Sequence, residues 1–186
     1  MKIILTVIFS LLLSACASAP LTSSNPGLHT VPVGSVVKLN QPLTIRAGKV
    51  NTAVQYGEAT LAVDPYEPHC KFEVNTIAKK TFTLPAGDYR ITRVVRYSDP
   101  FFSHNKGKTV RVASSSAAAA WLGMASPDSH WYYTTVFRLQ SELHPDIRQL
   151  VCGTVFPSGF ESRDITISEF EALAGNMMSL HIAEKK

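Results

Sequence analysis

From Val36 onward, apolar residues recur at every second position in short runs, the period of half-buried strands rather than of a helix. Residues 36–40 and 43–45 make the first two runs, and the second ends at the turn Arg46-Ala47-Gly48. In 50–56, Val50, Thr52, Val54 and Tyr56 share a face, and Gly57-Glu58 then turns the chain into 59–63. Cys70, Phe72 and Val74 alternate with Lys71 and Glu73. Residues 81–84 lead through Pro85-Ala86-Gly87-Asp88, a turn with proline and glycine well placed, into a long strand over 89–97. There the alternation slips, because Tyr89 and Ile91 share a face, then Val95 and Tyr97, while the apolar Val94 falls between Arg93 and Val95, which predicts a bulge near Arg93-Val94 or burial on both sides. Residues 131–139 form the strongest strand, rich in aromatic and β-branched side chains, with Trp131, Tyr133, Phe137 and Leu139 on one face. In 147–156, Leu150, Cys152, Thr154 and Phe156 alternate with Val151, Gly153 and Val155.

The helical period surfaces once, near the C-terminus. Ser168 with Glu171 has capping-box spacing, Ile167 precedes it and Gly175 is placed as the stop, giving a short helix over about 169–174. Alternation returns in 176–182, with Met178, Leu180 and Ile182 on one side. About nine or ten short strands and one short C-terminal helix predict an all-β antiparallel fold, a β-sandwich or small barrel.

The connections carry information too. Residues 64–68, Asp-Pro-Tyr-Glu-Pro, cannot lie in a central strand, because each proline lacks a donor. Ser98-Asp99-Pro100 ends the long strand, 101–107 reads as a loop and 108–112 as a further short strand. The low-complexity stretch 114–127 has small residues around Trp121, Leu122 and Met124. Its alanines favour helix, but it is too short to be a stable isolated one. It reads as a mobile insertion with an apolar tip that docks a partner or a bilayer surface, or folds back over a sheet edge.

The N-terminus has a different logic. Lys2 is followed by an apolar run over residues 3–13 and then by Ser14-Ala15, the layout of a secretory signal peptide over 1–15. The run is far short of the roughly 20 residues that span a bilayer. Leu13-Ser14-Ala15-Cys16 resembles the lipobox of bacterial lipoproteins. That resemblance implies cleavage before Cys16, lipidation of its thiol and terminal amine, and a mature chain held to a membrane by lipid. Residues 16–35, with Pro20, Pro26 and Pro32 among small polar residues, read as a flexible tether reaching roughly 25 Å. Residues 36–186 then form a single β-rich domain.

Net charge is +4, with acids interleaved among the scattered lysines and arginines. No stripe concentrates them as nucleic-acid binding requires, so no nucleic-acid partner is expected. Of three cysteines, Cys16 is taken by lipid, which leaves Cys70 and Cys152 as an even pair in an oxidising compartment. Both sit among apolar same-face neighbours, so a disulfide bridging two packed sheets is the expectation.

Candidate chemistry is thin. His69 beside Cys70 invites a metal reading, but paired close Cys spacings are absent and Cys70 has a partner in Cys152, so no metal site or cofactor is expected. His69 then reads as a surface residue in a proline-rich turn. Met177-Met178 near His181 suggests copper, against which core filling is the simpler account. There is no Gly-x-Ser-x-Gly elbow and no phosphate-cradling glycine loop, and no carboxylate pair stands out. The proline-stiffened 64–70 loop is a second possible recognition element.

Beyond the lipobox, residues 45–48, 54–57, 66–74 and 167–180 resemble a group of uncharacterised lipoproteins of gamma-proteobacteria. That group brings no catalytic residues with it. It implies a Gram-negative envelope, and Ala17 after the lipidated cysteine resembles the pattern sent to the periplasmic face of the outer membrane. The expectation is a non-enzymatic envelope lipoprotein that binds or scaffolds another envelope protein or polysaccharide. The alternatives are an enzyme acting on envelope polymers or a periplasmic metal-binding protein.

Overall fold

The computed structural model describes residues 25–101, 130–157 and 164–184. Among these, ten strands form in chain order: β1 (Val36–Leu39), β2 (Leu43–Ile45), β3 (Asn51–Gln55), β4 (Glu58–Thr60), β5 (His69–Val74), β6 (Phe82–Leu84), β7 (Gly87–Phe101), β8 (His130–Gln140), β9 (Ile147–Pro157) and β10 (Met178–His181). One helix, α1 (Ile167–Ala174), precedes β10, and a 3₁₀ turn (Leu28–Thr30) precedes β1. Eight strands make one antiparallel sheet in the order β10-β1-β7-β8-β9-β5-β3-β4, and β2 pairs with β6 in a small second sheet. The fold is all-β with one short helix, as the alternation predicts.

The large sheet curls around a core built from its alternate positions. Val37 and Leu39, Val54, Cys70 and Phe72, Tyr89 and Ile91, Phe137, Leu150 and Cys152 are all buried there. Phe72 and Tyr89 meet edge to face, with centroids 5.8 Å apart, and each such buried side chain contributes about 1.5–3 kcal/mol by leaving water. Leu43, Ile45 and Leu84 close the core from the small sheet, and α1 adds Phe170, Leu173 and Ala174.

Helix α1 joins the two ends of the curl. The Leu173 carbonyl accepts from Gly57 N at the β3–β4 turn, and the Met177 carbonyl accepts from Asn40 N after β1. Gly175 stops the helix at φ +51° and lies against the Gly57 backbone, where an added Cβ would come 2.8 Å from the Gly57 Cα. The N-cap is Thr166, whose side chain accepts from Glu169 N while the Glu169 carboxylate accepts from Thr166 N. The capping box therefore sits two residues earlier than the Ser168–Glu171 pairing read from sequence.

Three further expectations shift. The bulge lies at Thr92, between Ile91 and Arg93, and switches the core-facing phase from Ile91 to Val94. β7 continues through Pro100 because β1 accompanies it only from Gly87 to Arg90; farther along it has β8 alone, and an edge position tolerates a residue without an N–H. β4 stops at Thr60, so 61–63 belong to the following loop.

Residues 25–35, expected to be part of a flexible tether, are packed instead. Leu28 is fully buried, Val31 nearly so, and Leu28 N donates to the Ile165 carbonyl. Asp164, its side chain 5% exposed, accepts from Arg96 Nε at 2.8 Å and contacts His29 Nδ1 at 2.7 Å. The apolar pair Leu28 and Val31 carries this docking, and the folded body begins by Asn25. Residues 1–24 with Cys16, the expected strand 108–112, and the insertion 114–127 with Trp121, Leu122 and Met124 lie outside the described residues. No helix among the described residues is long and apolar enough to cross a membrane.

Candidate functional site

Cys70 and Cys152 are disulfide-bonded, 82 residues apart in sequence. They are directly opposed partners on the adjacent strands β5 and β9, so the bridge ties one sheet to itself rather than joining two packed sheets. Both side chains face the core and are essentially inaccessible. Their alternation neighbours His69 and Gly153, also opposed partners, therefore face the outer side of the sheet.

That outer side carries a network of polar contacts. The 61–68 loop folds back over β3, β5 and β9 and is held by the sheet. Gln55 binds it on both sides: Oε1 accepts from Asp64 N at 3.0 Å, and Nε2 donates to the Asp64 carbonyl at 2.8 Å. Val155 N donates to the Pro65 carbonyl at 2.8 Å, and Thr154 Oγ1 donates to the Tyr66 carbonyl at 3.2 Å. The Asp64 carboxylate accepts from Tyr66 N at 3.0 Å in an Asx turn. Neither Pro65 nor Pro68 needs a donor's partner, so the loop docks with its own backbone largely satisfied.

His69 lies beneath this loop, 1% exposed, not on the surface as its proline-rich surroundings predict. The reason is tertiary: its side chain points away from the core, but the loop covers that face. Its Nδ1 is 2.9 Å from the Glu67 carbonyl, which can only accept, so Nδ1 carries the proton. Nε2 then accepts from the Tyr132 hydroxyl at 2.7 Å, with the two rings stacked 15° from parallel. Burial lowers the His69 pKa against the opposing pull of the Glu67 carbonyl, and burial pushes Tyr132 up to about 12. Both groups are neutral near pH 7, and both imidazole nitrogens are engaged within the protein. Proton transfer to an outside molecule and metal ligation are poorly served by such a pair. Its geometry locks the loop.

The pH dependence follows from these directions. A histidine held neutral by burial takes up a proton less readily folded than unfolded. As pH falls below the ordinary value of about 6.5, the unfolded chain protonates first and stability declines. A tyrosine with a raised pKa behaves oppositely, losing stability as pH rises from about 10 towards 12. Denaturation midpoints should therefore be highest between about pH 6.5 and 10, and His69→Gln should flatten the acid side. An acid limb unchanged in that variant would remove His69 from the account.

The loop also presents an aromatic side chain to solvent. Tyr66, 48% exposed, meets Phe101 edge-on at 5.8 Å and His130 at 5.6 Å. Phe101 ends β7 and His130 begins β8, so they flank the segment that contains the insertion. Tyr66 of the 64–70 loop thus touches the two described residues that bound the segment 102–129, and the 114–127 insertion within that segment lies outside the described residues. Sequence reading overlooked Tyr132, Gln55 and Gly153; the only local signal was Gly153, a glycine inside a strand. Met177 and Met178 fill the core, while His181 is exposed on β10. Among the described residues, no three His, Cys, Asp or Glu side chains come together as a metal site. Comparison with protein-family models, curated proteins and solved structures finds no match for this chain.

Proposed function

We propose that this chain is a lipid-anchored envelope protein whose β domain is a non-enzymatic binding or scaffolding module, presented from the periplasmic face of an outer membrane. The observation that carries the binding role is the outer-face loop. Its backbone is pinned by Gln55, Thr154, Val155 and His69, while its Tyr66 ring stands half exposed between Phe101 and His130. A rigid aromatic group held at low entropic cost is a suitable anchor for a partner. The Leu13-Ser14-Ala15-Cys16 motif supports the anchoring, and a buried disulfide fits an oxidising compartment.

Cys16→Ser should move the protein from the membrane fraction to the soluble fraction; full retention on the membrane would overturn the anchor. Deleting 114–127, or making Tyr66→Ala, should each remove the same crosslinked envelope partner from the intact cell. A partner set unchanged by both would sink the binding role of this end of the domain.

A further inference from the structure

On the outer face of the large sheet, away from the Tyr66 cluster, Arg93 of β7 and Arg138 of β8 are directly opposed partners. Like charges placed so destabilise a sheet. Neither guanidinium is paired with a carboxylate among the described residues, where both ion pairs belong to Asp164. The next residue across the same row is Gln149 of β9, opposed to both Arg138 and Glu73. Gln149 Nε2 donates to the Glu73 carboxylate at 2.6 Å, which fixes the orientation of the amide. Its Oε1 is consequently left buried with no hydrogen-bond partner. One row thus holds two uncompensated cations and one unsatisfied acceptor, each of which costs the free protein stability.

Along β7 from Arg93, the outward side chains are Val95 and then Tyr97, which is 49% exposed. Val95 is opposed to Val136, so a small apolar strip separates the charged row from an open aromatic ring. Arg93 to Tyr97 spans roughly 13 Å at strand rise, the length of a short oligosaccharide.

We infer that this face binds an anionic saccharide: the Arg93 and Arg138 guanidinia take its carboxylate or phosphate, Gln149 Oε1 takes a hydroxyl, and Tyr97 stacks on a following ring. Arginine forks match such oxyanions in geometry as well as charge. Arg138 and Gln149 are cross-strand partners, so a ligand group held by Arg138 lies one strand spacing from the Gln149 amide, whose buried Oε1 must open to accept its hydroxyl. This deepens the proposed binding module by naming a ligand class and placing a second contact surface on it.

The test uses the purified full-length protein in detergent. Trigalacturonate, glucose 6-phosphate, a neutral trisaccharide, inorganic phosphate and phosphatidylglycerol vesicles are each titrated and followed by calorimetry. At least one anionic saccharide should bind tenfold or more tightly than the neutral sugar and inorganic phosphate, and which one binds identifies the anion. Arg138→Gln and Arg93→Gln should each weaken that binding about tenfold, and Tyr97→Ala should weaken trigalacturonate more than glucose 6-phosphate. Arg93→Gln should also raise the thermal midpoint by about 1–4 °C, because the repulsion is gone. Equal affinity for inorganic phosphate, preference for vesicles, no saccharide binding at 10 mM, or binding indifferent to both arginine variants would overturn the inference. Because the readout needs no membrane fractionation, its failure is distinguishable from failure of the anchoring test.

Discussion

Replacing Cys70 and Cys152 together by alanine lowers the stability of the folded domain by about 2–5 kcal/mol, measured by chemical denaturation against the oxidised parent. The bond closes a chain segment containing β6, β7 and β8 and the long connection between the last two. In the unfolded chain that closure removes conformational entropy worth about 4.5 kcal/mol for a loop of this length. The folded state has little to lose geometrically, because the cysteines oppose each other on paired strands in any case. Most domains hold only 5–15 kcal/mol in reserve, so the variant should sit near the edge of stability at physiological temperature. Reductant should reproduce the loss in the parent and have no effect on the double variant. A change below 1 kcal/mol would mean that the unfolded chain is confined by something other than this bond.

The second large effect belongs to Gly153. A Cβ there would lie 2.7 Å from the Tyr133 carbonyl oxygen and 2.9 Å from Tyr132 Cζ. The carbonyl belongs to the β8–β9 ladder and cannot yield, and the Tyr132 ring passes over position 153 to reach His69. Gly153→Val should therefore cost about 2–4 kcal/mol, combining overpacking with loss of the Tyr132–His69 hydrogen bond. The loss should be local as well as global. Amides at Asp64 and Tyr66 should exchange faster, and protease should cut within 61–68 before it cuts elsewhere. Tyr132→Phe, which keeps the ring and drops the hydroxyl, should show the loop effect with a smaller stability loss. Unaltered exchange at Asp64 in both variants would refute the locking role of the pair.

The alternation of apolar residues was enough to read the fold class and most strands, because period and parity are local properties, and counting cysteines was enough to pair Cys70 with Cys152. What failed was non-local. Cys70 and Cys152 have apolar same-face neighbours whether they join two sheets or two neighbours in one sheet; only the placement of β5 next to β9 decides. Thr166-x-x-Glu169 and Ser168-x-x-Glu171 satisfy the same capping rule two residues apart. The first is used because Ile167 N is tied to the Pro26 carbonyl and Thr166 bridges to Gly27, both contacts with a distant segment. His69 was misread for a similar reason: parity places it off the core, and nothing within the strand announces the loop that covers it. The Arg93–Arg138 opposition was also invisible until a one-residue bulge at Thr92 set the register.

Under the proposed lipidation of Cys16, the docking of residues 25–35 would set how far the domain reaches from the membrane. A domain beginning at Val36 would hang from Cys16 by twenty links with a contour of about 70 Å, whereas Asn25 leaves nine links and about 30 Å. The volume that a domain so anchored could sweep would shrink roughly tenfold, in proportion to the cube of the reach. Any ligand in the same leaflet is then met at a correspondingly higher effective concentration. Weak contacts, such as a few charge-assisted hydrogen bonds to a sugar, would suffice at the membrane even where they fail in dilute solution.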